Sequence, residues 1–324
     1  MHPIGHYQQI VSDYFTSASI IKEPKNLYEP ISYILSLGGK RIRPVLTLMA
    51  AEVFNANCRE ALPAAVAVEI FHNFSLVHDD IMDDAPLRRG HKTVHEKWDL
   101  NTGILSGDAM LILAYQYFES YEPPIFKELA KLFSKTALEV CEGQQWDVDF
   151  ESRSDVTQPE YLKMIEYKTA VLLGAAMKMG GIVAKTSENN CNLIYNFGLN
   201  LGIAFQLQDD YLDAFGDPET FGKQVGGDII ENKKTYLYLK ALEQGSAGDK
   251  ELLLEYFEVQ PEESATKIAA VKQLFTATGA DTATKNAIEA YTLKAFATLE
   301  EMDIEPEKKE VLRKFGENLM QRTV

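Results

Sequence analysis

The sequence predicts an all-α protein, and three observations carry that expectation. Apolar residues recur at spacings of three and four through most of the 324 residues, as one face of a helix requires. Short alternating runs that would make half-buried strands are hard to find. Glycine and proline turns punctuate the chain at helix-length intervals. A first helix is expected over 5–21, and Gly38-Gly39 turns the chain into a second over 42–55. A third, over 60–82, is followed by the Arg89-Gly90 turn, a fourth over 101–119 by Pro123-Pro124, and a fifth covers 125–149. One helix over 159–184 takes in Gly180-Gly181 near its end, and the next, over 188–215, stops at Gly216-Asp217-Pro218. Beyond Gly226-Gly227 come helices over 232–243, 249–257, 261–278, 282–302 and 306–320. The most polar stretch, 243–265, contains Gly245-Ser246-Ala247-Gly248 and Pro261-Glu262-Glu263 and is the candidate for a mobile hairpin. It lacks the composition of a linker, so 1–324 reads as a single domain.

Composition narrows the function classes. Hydrophobic residues make up 46% of the chain, enough for a sizeable core. With 48 acidic against 32 basic residues the net charge is −16, which argues against a nucleic-acid partner. No run of eighteen apolar residues occurs and the first residues, Met1-His2-Pro3-Ile4-Gly5-His6, lack the regions of a signal peptide, so no transmembrane segment and a cytoplasmic location are expected. Cys58, Cys141 and Cys191 match no metal or redox spacing and are expected to pack as small apolar side chains.

The chemistry is concentrated in a pattern that occurs twice: Asp79-Asp80-Ile81-Met82-Asp83 and Asp209-Asp210-Tyr211-Leu212-Asp213. On a helix, residues i and i+4 stand above one another, so Asp79 pairs with Asp83 and Asp209 with Asp213. Each like-charged pair costs a few tenths of a kcal/mol unless a cation offsets it. Both patterns follow stretches that are apolar on nearly all sides, 64–77 and 199–207, which marks buried helices rather than solvated faces. Clustered carboxylates suit magnesium, which is held by one or two carboxylates together with substrate phosphates.

Basic residues answer these acids. Gly38-Gly39-Lys40-Arg41-Ile42-Arg43-Pro44 combines glycines that let backbone amides approach an anion with three cationic side chains. Arg88 and Arg89 lie five and six residues after Asp83, and guanidinium forks match phosphate oxygens. Lys168-Thr169, the Gly222–Asp228 loop with Lys223, and Lys233-Lys234 add cations for the second cluster. Together they describe a pocket for magnesium-chelated diphosphates, and two are expected. None of the six histidines forms a His-Glu-x-x-His, and no Gly-x-Ser-x-Gly or Walker loop occurs.

These motifs, in this order from Gly38 to Lys234, resemble those of the trans-isoprenyl diphosphate synthases, the polyprenyl synthetases. The resemblance implies the isoprenoid synthase fold, a helical bundle around a central cavity, a homodimer, and three magnesium ions bridging an allylic diphosphate (dimethylallyl, geranyl or farnesyl) to the two acidic motifs. By position, Asp79, Asp83 and Asp209 would ligate metal, with Asp80, Asp210 and Asp213 in support. Lys40, Arg43, His72 and Arg89 would hold isopentenyl diphosphate. Arg88, Lys168, Thr169, Gln206, Lys223 and Lys233 would contact the allylic diphosphate, with Lys168 counted among the catalytic groups. Gln144 and Asp147 fall where the family has a further polar pair near the metals. No protein base is required, since the departing diphosphate can take the proton. On the helix before Asp79, at 1.5 Å per residue, Phe74 and Phe71 stand roughly 7.5 and 12 Å from the motif and are candidates for a chain-length floor, with the small Ser75 beside them. That pattern favours geranylgeranyl diphosphate as product, with farnesyl diphosphate next. The alternatives are a terpene cyclase, whose second motif resembles a different pattern, and a non-catalytic regulatory subunit of a prenyl diphosphate synthase, which typically lacks one motif.

Overall fold

The computed structural model describes residues 1–18, 21–217, 225–258 and 264–321. Its chain groups into two compact units, Met1–Ser134 with Ala175–Ile194, and Lys135–Gly174 with Tyr195–Val324. Among the described residues the β-structure is a two-residue antiparallel hairpin, β1 (Leu87–Arg88) on β2 (His91–Lys92). Its turn residues Arg89 and Gly90 both have positive φ, 54° and 75°, as hairpin turns matched to strand twist require.

The first unit is built around α4 (Leu62–Met82), which is buried on all sides from Ala64 to Phe71 and again at Asn73, Phe74 and Val77. It is long and apolar enough to cross a membrane, but 67% of its most apolar window is buried within the protein, as befits a core helix. Against it pack α3 (Ile42–Val53) and α6 (Leu100–Phe118), the latter N-capped by Asp99, whose carboxylate accepts from the Thr102 amide. Helix α1 (Ile4–Ser17) buries Tyr7, Ile10 and Val11. Helix α2 (Lys25–Ser36) was not expected from the sequence. Pro30 lies inside it and cannot donate to the ladder, so the segment reads as broken, yet burial of Ile31, Ile34 and Leu35 holds it. A short α5 (Val94–Lys97) leads into α6.

Helix α7 (Pro123–Ser152) contributes residues to both units. In the second unit, α8 (Gln158–Ile165) opens with a capping box between Thr157 and Glu160. The single helix expected over 159–184 is instead interrupted: Glu166–Ala170 forms a π turn before α9 (Val171–Val183) resumes. Apolar spacing cannot reveal such an insertion, because one extra residue shifts the register without breaking the helix. Helix α10 (Glu188–Phe215) carries the second acidic motif. It is followed by α11 (Gly227–Ile230), α12 (Tyr236–Gln244), α13 (Ala247–Glu258), α14 (Ser264–Ala277), α15 (Ala280–Glu300) and α16 (Pro306–Met320). The helix expected from 232 begins at Tyr236, because Lys233 and Lys234 lie in the connection after α11. The polar stretch considered for a hairpin is helical over Ala247–Glu258 and anchored by Leu253, while 259–263 lie outside the described residues. The core of this unit gathers Tyr161, Ile165, Leu207, Leu237, Val271 and Phe275.

Candidate active site

Two polar clusters emerge, one in each unit. The first lies at the C-terminal end of α4. Asp83 caps the helix and is exposed, Asp79 one turn back is half-buried, and Asp80 points inward with its side chain 1% exposed. One carboxylate oxygen of Asp80 takes two donors from Arg88, Nε at 2.9 Å and Nη2 at 2.5 Å. Burial raises the Asp80 pKa while Arg88 opposes the rise, so the pair fixes the guanidinium beside the motif. Arg89, on the hairpin turn, donates to the Gly38 carbonyl, and its guanidinium covers Gly39. Gly39 has φ +117°, a conformation that demands glycine, and a Cβ there would stand 2.7 Å from Arg89 Cζ, so the guanidinium would have to move aside.

Arg43, on α3, is depressed to about 10 by burial and by the charge of Arg89, with Glu69 acting in the opposite sense. The pKa of His72 lies well below the ordinary value, because burial and the charges of Arg43, Arg89 and Arg88 all disfavour protonation. It is therefore a neutral imidazole near pH 7. Lys40 is exposed. Thus Arg43, Arg89 and His72, 46 residues apart at most along the chain, act electrostatically as one group. Sequence reasoning missed Glu69, which is 3% exposed, accepts from Asn73 Nδ2 at 3.2 Å and has a raised pKa from burial countered by Arg43. Its mark in the sequence was isolation: one carboxylate in an otherwise apolar run is rarely buried without a cationic neighbour.

Up α4, the Phe74 ring is 8% exposed and lies 5.4 Å from the ring of Phe71 and 4.8 Å from that of His78. Phe71 is fully buried against Phe133 at 5.1 Å. The Ser75 hydroxyl is turned back onto the His72 carbonyl, 2.9 Å away.

The second cluster surrounds the last turns of α10. Asp210 is buried and holds two partners: Tyr161 of α8 donates to one oxygen and Gln206 Nε2 to the other at 2.8 Å. Thr169 in turn donates to Gln206 Oε1 at 3.0 Å. Asp213 accepts the Asp228 amide at 3.0 Å through its carboxylate and the Gly226 amide at 2.6 Å through its carbonyl, fastening α11 to α10. Lys168, on the π turn, reaches Asp147 of α7 at 2.5 Å. A cavity of about 110 Å³ is lined by Asp147, Lys168, Thr169, Gln206, Asp210 and Asp228 with Lys233. Asp210 and Asp228 are both held far above the usual carboxylate range, by burial first and then by neighbouring acids, Asp209 and Asp147 for the former and Asp210 and Asp213 for the latter. Lys233 is shifted the opposite way from a merely buried amine: Glu231, Asp228 and Asp147 overcome its desolvation and raise its pKa.

Asp228 and Tyr161 were not singled out from the sequence. Asp228 was visible as a third acid after the motif, whereas nothing local marks Tyr161, 49 residues before its partner. Gln144 is buried on α7 and does not line the cavity, whereas Asp147, three residues on, does. Lys223 lies outside the described residues.

Among the described residues no three acidic, histidine or cysteine side chains converge into a preformed metal cage. Within each unit the donor chemistry fits a hard divalent ion: the carboxylates of Asp79 and Asp83 at the end of α4, and those of Asp209 and Asp213 at the end of α10, are of the kind that hold magnesium together with substrate phosphates.

A helical fold bearing two acidic motifs, each with its own basic residues, defines the class: an enzyme of diphosphate chemistry. Residues 24–275 match the polyprenyl synthetase family, and the chain belongs to that family. It is 37% identical to a geranylfarnesyl diphosphate synthase of Natronomonas pharaonis, over 99% of this chain and 97% of that one. It is 42% identical to a geranylgeranyl diphosphate synthase of Methanosarcina mazei, over 69% of this chain and 70% of the relative. A crystal structure of a geranylgeranyl pyrophosphate synthase superimposes with a TM-score of 0.96 at 54% identity, covering 99% of both chains.

Proposed function

We propose that this chain is a trans-prenyltransferase that condenses isopentenyl diphosphate with an allylic diphosphate to make a short-chain all-trans prenyl diphosphate. One observation carries the proposal. Both Asp-Asp-x-x-Asp motifs stand at helix C-termini, with no basic residue in either last turn. There the helix dipole disfavours anions by about 0.3–1 kcal/mol, and the i, i+4 repulsion adds to the cost. Carboxylates so placed are explained by a cation that arrives with substrate.

Asp79, Asp83 and Asp209 would hold magnesium, three ions in all, with Asp80, Asp210 and Asp213 supporting. When bound, the ions act as Lewis acids on the departing diphosphate. Lys168, Thr169, Gln206, Lys233 and Arg88 orient the allylic diphosphate, a role the family resemblance also gives to Lys223. Lys40, Arg43 and Arg89 grip isopentenyl diphosphate by charge, and His72, being neutral, by hydrogen bonding. The allylic carbon–oxygen bond breaks, the carbocation alkylates the isopentenyl double bond, and the departing diphosphate takes the proton. Purified protein given magnesium, radiolabelled isopentenyl diphosphate and each allylic starter should yield labelled prenyl diphosphate; a cyclic hydrocarbon or no product would overturn the proposal.

Geranylgeranyl diphosphate is the favoured product, and Phe74 the floor that limits it, with Phe71 and Ser75 behind and beside it. Phe74→Ala should move at least half of the product to chains one or more isoprene units longer, read by chromatography of the dephosphorylated alcohols. An unchanged distribution would remove Phe74 from the floor.

The chain is proposed to act as one polyprenyl synthetase domain over 1–324, as a homodimer, in the cytoplasm, where its three free cysteines suit a reducing compartment. Support for the dimer comes from α6. Its inner face is buried at Gly103, Ser106, Gly107, Met110 and Ala114, yet Ile104, Leu105 and Ile112 are 40%, 59% and 59% exposed. Apolar side chains at helical spacing on one exposed face suit a second copy of the chain. Leu105→Glu with Ile112→Glu should convert a dimer to a monomer in light scattering, and a dimer of unchanged affinity would exclude this face.

A further inference from the structure

We propose that Lys267, on α14, is a positioning residue: with Ile268 it braces the segment Gly226–Lys233, which carries Asp228 and Lys233 into the second acidic cluster. This inference rests on the function proposed above. Lys267 is 2% exposed and lies outside the cavity lining. Burying an ammonium is expensive, and burial lowers the Lys267 pKa; a leucine or methionine would fill the space without that penalty. Its Nζ donates to Asn232 Oδ1, with the Phe257 ring 5.6 Å away.

Asn232 is the pivot of the segment. It holds φ +59°, a left-handed conformation that asparagine tolerates better than most residues, and it directly precedes Lys233. The Lys233 amide closes back on the Asp228 carbonyl at 2.9 Å. At the other end, Gly226 sits against Ile268, where an added Cβ would stand 2.8 Å from the isoleucine side chain. Two consecutive residues of α14 therefore touch the start and the end of one short segment. Between these points, α11 presents the Asp228 amide to Asp213, and Asp228 and Lys233 line the same cavity as Asp210 and Asp147. A side chain that fixes Asn232 thus fixes where the Lys233 ammonium stands, without touching substrate.

Lys267→Met keeps the length and apolar stem and removes the donor and the charge. Asn232→Gly keeps the left-handed backbone accessible and removes the acceptor. Each should raise the KM for the allylic diphosphate about tenfold and weaken magnesium-dependent binding of inorganic pyrophosphate by a similar factor in calorimetry, with the KM for isopentenyl diphosphate changed less than twofold. Because both remove the Lys267–Asn232 contact, the two effects should not multiply: the double variant should fall short of the product of the single ones. A merely structural lysine would lower Tm and leave the two KM values moving together. That result, unchanged pyrophosphate binding, or effects that multiply in the double variant would overturn the inference. Should Lys267→Met not fold, Asn232→Gly carries the same test. Absence of condensation by the wild-type chain would refute the proposed activity, while the pyrophosphate affinities would still test the brace.

Discussion

Asp83→Asn is expected to make the metal-free protein more stable while almost abolishing turnover. The exposed Asp83 caps α4 one turn beyond Asp79, so its charge meets both the negative end of the helix and a like charge at i−4. Removing it should contribute about 0.5–1 kcal/mol, a rise of about 1 °C in Tm without magnesium. On the function proposed for the motif, the same change would remove a donor to the ion that stabilises the leaving charge, worth several kcal/mol, so kcat/KM should fall on the order of 10³-fold. Asp209→Asn should lower activity similarly through the other motif. Magnesium with pyrophosphate should raise the wild-type Tm and leave that of Asp83→Asn nearly unmoved. Asp84→Asn is the control: Asp84 is exposed at φ +48°, a conformation asparagine accepts, and turnover should stay within about twofold. Retained turnover in Asp83→Asn, or equal loss in Asp84→Asn, would defeat the assignment of the motif.

The outcome depends on features that are local in the sequence, an apolar helix ending in clustered acids. Helix α4 was legible because its apolar residues run all round and end in an acidic cluster; the helix spans Leu62–Met82 against an expected 60–82. The acids and bases of both clusters were legible as residue types, because charge next to an apolar run is a local pattern. Contacts that arise only on folding were not. Tyr161 meets Asp210 across 49 residues, and Lys168 meets Asp147 across 21. Glu69 and Lys267 are buried charges whose partners come from elsewhere in the chain, Arg43 on α3 for the first and Asn232 in the connection after α11 for the second. Periodicity reports which face of a helix is buried; it does not report which buried polar atom another helix will supply. The same limit hid the π turn at Glu166–Ala170, where the extra residue reorients Lys168 and Thr169 without altering the apolar count.

That π turn makes Gly143→Ala the second large effect. By propensity alone, alanine for glycine inside a helix stabilises by about 1 kcal/mol. At Gly143 of α7, however, an added Cβ would overlap the Lys168 amide and stand 2.7 Å from Lys168 Cα and from the Tyr167 carbonyl carbon. These are backbone atoms and cannot rotate away, so the helix and the π turn must separate. Overpacking of this kind costs about 1–3 kcal/mol or more and outweighs the propensity gain. On the other flank, Gly202 of α10 lies against Ala170, its Cβ position 2.7 Å from Ala170 Cα, so the widened turn is seated between two positions without side chains. Asp147 stands one helical turn beyond Gly143, on the same face, and pairs with Lys168 at 2.5 Å. Displacing the Lys168 backbone therefore breaks the pair as well as the packing. Gly143→Ala should lower Tm by several degrees and kcat/KM about 100-fold, with the KM for the allylic diphosphate rising most. The same substitution at Gly5 in α1, where nothing lies within 4 Å of the new methyl, should raise Tm slightly and leave activity alone. If Gly143→Ala proves as stable and as active as Gly5→Ala, close approach of α7 to the π turn is not what places the lysine.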